Sequence, residues 1–331
     1  MTFIVNGADW NFSGMSAGDV GRLIDRALDF VAVSADRAEE VMIGDDFQIK
    51  LMHGALTLWD LFSEESPLHL RGEMAQELAG WLGRAQRYAD TDDWPEGFED
   101  PMVSIDGGPP TYNEDVAWVH YSNRAGRAAA CVTLYANSIG TTTTATGNAA
   151  VHFVSDDVGR KRYWRDMIVL EGDNLESLVC HAPHAYPDLH FVDGVITHAD
   201  HLSGGYLASR QRVRAALAAL NDWGHWTFTW PPPAIAPGEA PLHVSDAQPS
   251  HQLVEHRFTG FGLNAAPEKP NVRDHRVSRE AREIVLGGRT LYCEWHVKLE
   301  PHRNRIHFHA PVPESGDRVV IGMITEHLPL P

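Results

Sequence analysis

Among the residues from Glu294 to His309 are a carboxylate, several imidazoles and a set of cations: Glu294, His296, Lys298, Arg303, Arg305, His307 and His309. Those residue types suit phosphodiester chemistry on RNA. A base removes the proton of a ribose 2′-hydroxyl, cations stabilise the charge on the phosphorane, and an acid protonates the leaving 5′-oxygen. Histidine fits either proton-transfer role because its unperturbed pKa lies near neutrality. Glu294, His296, Lys298, Arg305 and His307 are therefore catalytic candidates, with Arg303 and His309 as substrate-binding ones. The chemistry needs no metal, and no cofactor is expected.

These side chains can act together only if strands align them. Gly287-Gly288 separates Ala281–Leu286 from a long strand, Arg289–Leu299, as in a two-residue hairpin. A second turn, Glu300–Arg303, leads to a strand from Arg305 to Ala310, and a loop with Pro311, Pro313 and Gly316 leads to Arg318–Ile324. The sequence predicts a four-stranded antiparallel meander. Trp295, Val297 and Leu299 alternate with His296 and Lys298, and Ile306 and Phe308 alternate with Arg305, His307 and His309. Pairing Leu299 with Asn304 sets Val297 opposite Ile306 and Trp295 opposite Phe308 on one face. On the other it sets Lys298 opposite Arg305, His296 opposite His307 and Glu294 opposite His309.

Two facing cations disfavour the pairing by up to roughly 1 kcal/mol, and a bound anion would offset that. The plain alternative is the solvated face of an amphipathic sheet. A metal site is another: His307 and His309 share a face, and Glu294 or His296 could add a ligand, although Lys298 and Arg305 would oppose a cation.

Glu294-Trp-His-Val-Lys298, Arg303-Asn-Arg-Ile-His-Phe308, the apolar strand Val319–Ile324 and the terminal Glu326-His327 resemble the C-terminal half of RelE/ParE-type bacterial toxins. The likeness covers about fifty of the 331 residues. It implies an open sheet face lined by basic residues, sometimes with Glu and a late His, that cuts mRNA on the ribosome. Glu294, Lys298, Arg305 and His327 would form that set, with His296 and His307 as further candidates. A protein antitoxin would be a partner.

The net charge of −18 argues against a protein that coats nucleic acid. It is unevenly spread. From His256 onward 11 basic residues face 9 acidic ones, giving +2, so residues 1–255 carry −20. An acidic body could cover the basic face as a nucleic-acid mimic. In a competing reading it binds a basic protein partner and the sheet is only scaffold; a metal-dependent hydrolase using the His clusters is a third.

The predicted fold class is α+β: a helical acidic region 1–105, a central α+β region 106–230, a Pro-rich linker 231–250 and the sheet region 251–331. Helices are expected behind Ser16, behind Ser66-Pro67, behind an Asp173–Glu176 capping box through Val179, and from Tyr206 to Leu220. Strands are expected at Val116–Tyr121, Ala129–Tyr135 and Ala149–Val154, with Gly140–Gly147 as a hairpin connection. There is no apolar run of membrane-spanning length and no secretory leader pattern, and three scattered cysteines make no disulfide framework. A cytoplasmic protein without membrane attachment is expected. His181-x2-His184 and His198-x2-His201 form a loop-like His/Asp-rich stretch, and Arg160-Lys-Arg162 is a local basic cluster that reads as a solvated helix face.

Overall fold

The computed structural model describes residues 2–91, 94–98, 100–230 and 248–331. The protein is α+β, as its sequence predicts. It divides into two compact units, Met1–Tyr163 and Trp164–Pro331. The sequence expects boundaries at 105/106 and at the Pro-rich run 231–250, and residues 231–247 of that run lie outside the described residues.

The first unit is built on eight strands: β1 (Thr2–Val5), β2 (Glu40–Ile43), β3 (Gln86–Arg87), β4 (Met102–Ile105), β5 (Thr111–Tyr112), β6 (Ala129–Val132), β7 (Ser138–Thr144) and β8 (Gly147–Val154). They lie in the order β3-β2-β1-β6-β8-β7-β4-β5; the first five are parallel and the last three join antiparallel. Residues 1–105 are thus not only helical: β1 and β2, four residues each, are too short to announce a period. The Gly140–Gly147 segment supplies most of β7 as well as the turn into β8.

Helix α1 (Ala17–Asp36) starts where expected, with Ser16 Oγ accepting from the Asp19 N–H. Helix α2 (Gly72–Leu82) begins later than expected, because Ser66 accepts from the Leu68 N–H in a turn instead. Val116–Tyr121 is not a strand but part of α3 (Glu114–Arg124), capped by Asn113. Every residue from Asp115 to Ser122 is buried, so the helix shows no polar stripe and its apolar run mimics a strand. Asp115 accepts from the Gly7 N–H at 2.8 Å and from the Tyr88 hydroxyl at 3.0 Å. Burial pushes its carboxyl up to about 6 despite these bonds and nearby Lys50. Helix α4 (Asp157–Leu170) contains the division between the units. Its Arg160 is no solvated residue: it is buried, 3.2 Å from buried Glu39 and over the Phe30 ring.

The second unit includes α5 (Leu175–Ala185), whose capping box is Asn174 with Ser177, one residue later than the expected Asp173–Glu176 pair. Short strand β9 (Leu189–Phe191) and helices α6 (Gly205–Thr227) and α7 (His251–Gly260) follow. Then come β10 (Ala265–Pro267), α8 (Pro270–Asp274), α9 (Arg276–Glu280), β11 (Glu283–Leu286), β12 (Arg289–Tyr292), β13 (Trp295–Glu300), β14 (Arg303–Val312) and β15 (Arg318–Thr325). The main sheet runs β10-β13-β14-β15-β9, with only the β15–β9 pair parallel.

The predicted register of β13 and β14 holds: Trp295 faces Phe308, His296 faces His307, Val297 faces Ile306 and Lys298 faces Arg305. The single meander does not. Strand β11 pairs with β12 as a separate two-stranded sheet. The expected long strand breaks at Cys293-Glu294, where the chain leaves β11 for β10 and β14. The Cys293 N–H still donates to Arg282 O, while Glu294 O already accepts from the Glu268 N–H. The apolar face of β13 and β14 is an aromatic core, with Phe258 5.7 Å from Phe308 and Phe228 5.7 Å from Trp295. Among the described residues no helix is long and apolar enough to cross a membrane.

Candidate functional site

The other face of β13 and β14 is neither open nor simply solvated. Helix α8, the segment around Glu268, and the residues after β15 close over it and leave a cavity of about 390 Å³. Its walls include Glu268, Lys269, Arg282, His296, Lys298, Arg305 and His327. Alternation along β13 brings His296 and Lys298 to this face, and the register brings Arg305 and His307 opposite them. His327 arrives from the segment after β15.

At the centre is a carboxylate that the sequence did not single out. Glu268 Oε1 lies 3.0 Å from Arg282 Nε, 3.2 Å from His296 Nδ1 and 3.4 Å from His307 Nδ1. The contacts are close, but none is an aligned hydrogen bond: Arg282 Nε, His296 Nδ1 and both ring nitrogens of His307 are buried without a hydrogen-bonding partner. Burial pushes the Glu268 carboxyl up, yet His296 and Arg282 outweigh it and hold the group at about 2. His307 has no exposed surface, and burial, with help from neighbouring His296, takes it down to about 3. At neutral pH the site therefore holds an ionised Glu268 beside a neutral His307.

Lys269, Lys298 and Arg305 form no ion pair with a carboxylate among the described residues, and Arg305 Nη1 is buried without a partner. Burial lowers the Arg305 guanidinium below its ordinary range. The cavity consequently carries more cationic than anionic side chains, which suits an anionic ligand.

The remaining candidates lie elsewhere. Glu294 does not face His309 and does not line the cavity; it sits 3.4 Å from His251 Nε2 and 3.6 Å from Arg273 Nη1. Side-chain parity carries only along an unbroken strand, and the break at Cys293-Glu294 ends it. Arg303 is exposed and pairs with Glu300 at 2.8 Å. His309 Nδ1 lies 2.7 Å from Ala310 O, away from the cavity lining. Glu268, His296 and His307 are the one group among the described residues whose ligand atoms stand close enough to share a metal ion, all within 4.8 Å. Alternation suggests His307 and His309 with Glu294 or His296; His307 and His296 do belong to the group, whereas His309 and Glu294 do not, and Glu268 takes their place.

The His/Asp-rich stretch forms no such group. It is also less loop-like than expected: His181 and His184 lie on α5, His181 bonding Glu171 at 2.6 Å and His184 stacking on Trp164. His198 and His201 stack on each other in a short 3₁₀ turn. None of the family models, curated proteins or solved structures searched matches the chain.

Proposed function

We propose that this cavity is the active site of an endoribonuclease, and that the chain acts as a toxin or defence effector on RNA, free or on the ribosome. One observation carries the reading: a single ionised carboxylate, Glu268, stands beside Arg282, His296 and the buried His307 at a cavity whose other cations form no ion pair with a carboxylate among the described residues. The surplus of positive charge draws a phosphodiester, and the carboxylate with its imidazole supplies a proton acceptor.

In this reading the charge of Glu268, 3.2 Å from His296 Nδ1, favours the ring proton on Nδ1 and leaves Nε2 as the general base for the ribose 2′-hydroxyl. The 2′-oxygen attacks phosphorus and the P–O5′ bond breaks. Lys298 and Arg305, opposite each other on the ladder, stabilise the phosphorane oxygens. His327 gives its proton to the departing 5′-oxygen. The products are a 2′,3′-cyclic phosphate and a 5′-hydroxyl, formed without metal.

The test is cleavage of RNA by EDTA-treated protein, with and without ribosomes. Products should carry 2′,3′-cyclic phosphate ends, and His296→Gln and His327→Gln should each lower the rate roughly 100-fold or more. No cleavage of any RNA, or rates unchanged in both variants, overturns the reading.

A further inference from the structure

We infer that Glu268, His296 and His307 also form a site for a divalent transition metal of the zinc class, and that its occupancy silences the proposed nuclease. The inhibitory part rests on the function proposed above; metal binding does not.

The geometry is that of ligands already gathered. In a tetrahedral site with bonds of about 2.1 Å, neighbouring ligand atoms stand about 3.4 Å apart. Glu268 Oε1 is 3.2 Å from His296 Nδ1 and 3.4 Å from His307 Nδ1. Two imidazoles and one carboxylate are the donors of many zinc sites, and the fourth position is left for water or an anion. The three side chains come from different stretches of the sheet, His296 from β13, His307 from β14 and Glu268 from the residue after β10, so the backbone ladder fixes their spacing.

His307 gives independent support. It is fully buried, it points Nδ1 at the carboxylate, and neither ring nitrogen has a hydrogen-bonding partner. Dry, unpaired imidazole nitrogens are costly, and a metal bond would satisfy one of them. Arg282 lies 3.0 Å from the same Oε1 and opposes a dication. Affinity should therefore fall short of a closed structural zinc site, in keeping with a reversible occupant. While bound at Nδ1, the ion would leave the proton of the neutral His296 ring on Nε2, the atom that acts as general base in the proposed reaction, and would occupy the Glu268 oxygen whose charge favours that proton on Nδ1.

The experiment uses the full chain stripped with EDTA and titrated with Zn²⁺ by calorimetry, and with Co²⁺ by visible absorption. One Zn²⁺ per chain and the d–d bands of tetrahedral Co²⁺ are expected, with a raised melting temperature. His296→Gln and Glu268→Gln, checked for folding by circular dichroism, should each weaken binding roughly 10- to 100-fold. RNA cleavage should fall as Zn²⁺ fills the site and return with EDTA. No binding by folded wild type, or unchanged binding in both variants, overturns the site. Zn²⁺ binding by a chain that cleaves no RNA would sustain the site and remove the inhibitory role.

Discussion

Lys298 stands directly across the β13–β14 ladder from Arg305, and neither has a carboxylate partner among the described residues. Facing cations destabilise a sheet by a fraction of a kcal/mol to about 1 kcal/mol. Lys298→Met should raise the melting temperature slightly and weaken the binding of inorganic phosphate and RNA. Thermal denaturation and phosphate titration measured on the same samples check both directions. A variant that is less stable and binds as well as wild type would show the pair to be structural.

Glu268 and Glu294 should separate cleanly. Glu268→Gln leaves Arg282, only 3% exposed, without its counter-charge, at about 3 kcal/mol. It should also abolish cleavage. Glu294 makes half-exposed ion pairs with His251 and Arg273, so Glu294→Gln should cost under ~1 kcal/mol and leave cleavage intact. Urea denaturation and RNA cleavage of the two variants read this contrast.

How these two glutamates differ shows what the sequence could reveal. The Lys298–Arg305 and His296–His307 pairs were legible because two alternations and a tight turn agree on one register. Glu294 fitted that alternation, but a change of partner strand two residues earlier in the ladder is a tertiary event that no period records. Glu268 lies far upstream between Pro267 and Lys269-Pro270, in a segment with neither helical nor strand period. Only the β10–β13 pairing carries it to the histidines. The same limit applies to α3, where burial on all sides erased the helical stripe.

Asp115 gives a pH prediction in the first unit. Its folded pKa of about 6 exceeds the ordinary aspartate value of 3.8, so the folded state binds the proton more tightly than the unfolded chain. Its contribution is therefore favourable at low pH and is lost as pH rises from 3.8 through 6, by about 3 kcal/mol over the whole window. Asp115→Asn removes this titration while keeping an acceptor for the Gly7 N–H. Relative to that variant, wild type should gain stability as pH falls from neutrality to about 4. A constant difference in melting temperature across that range would refute the assignment.

Gly322 in β15 approaches Cys293 so closely that a Cβ there would lie 2.3 Å from the Cys293 sulfur. Gly322→Ala should destabilise the protein by about 2 kcal/mol or more. Cys293→Ala in the same chain should recover part of that loss, because the clash is with the sulfur. Chemical denaturation of the two single variants and the double variant measures the coupling.

The residues after β15 form part of the cavity wall: His327, Leu328, Leu330 and Pro331 line it, and Arg282 Nη1 donates to Pro329 O at 3.0 Å. Anything joined to Pro331 therefore begins at the mouth of the site. A polyhistidine handle placed there would bring metal ligands and cationic side chains of its own to the position where substrate and zinc are to be measured. Samples for these measurements belong on an affinity handle at the other end, removed before use.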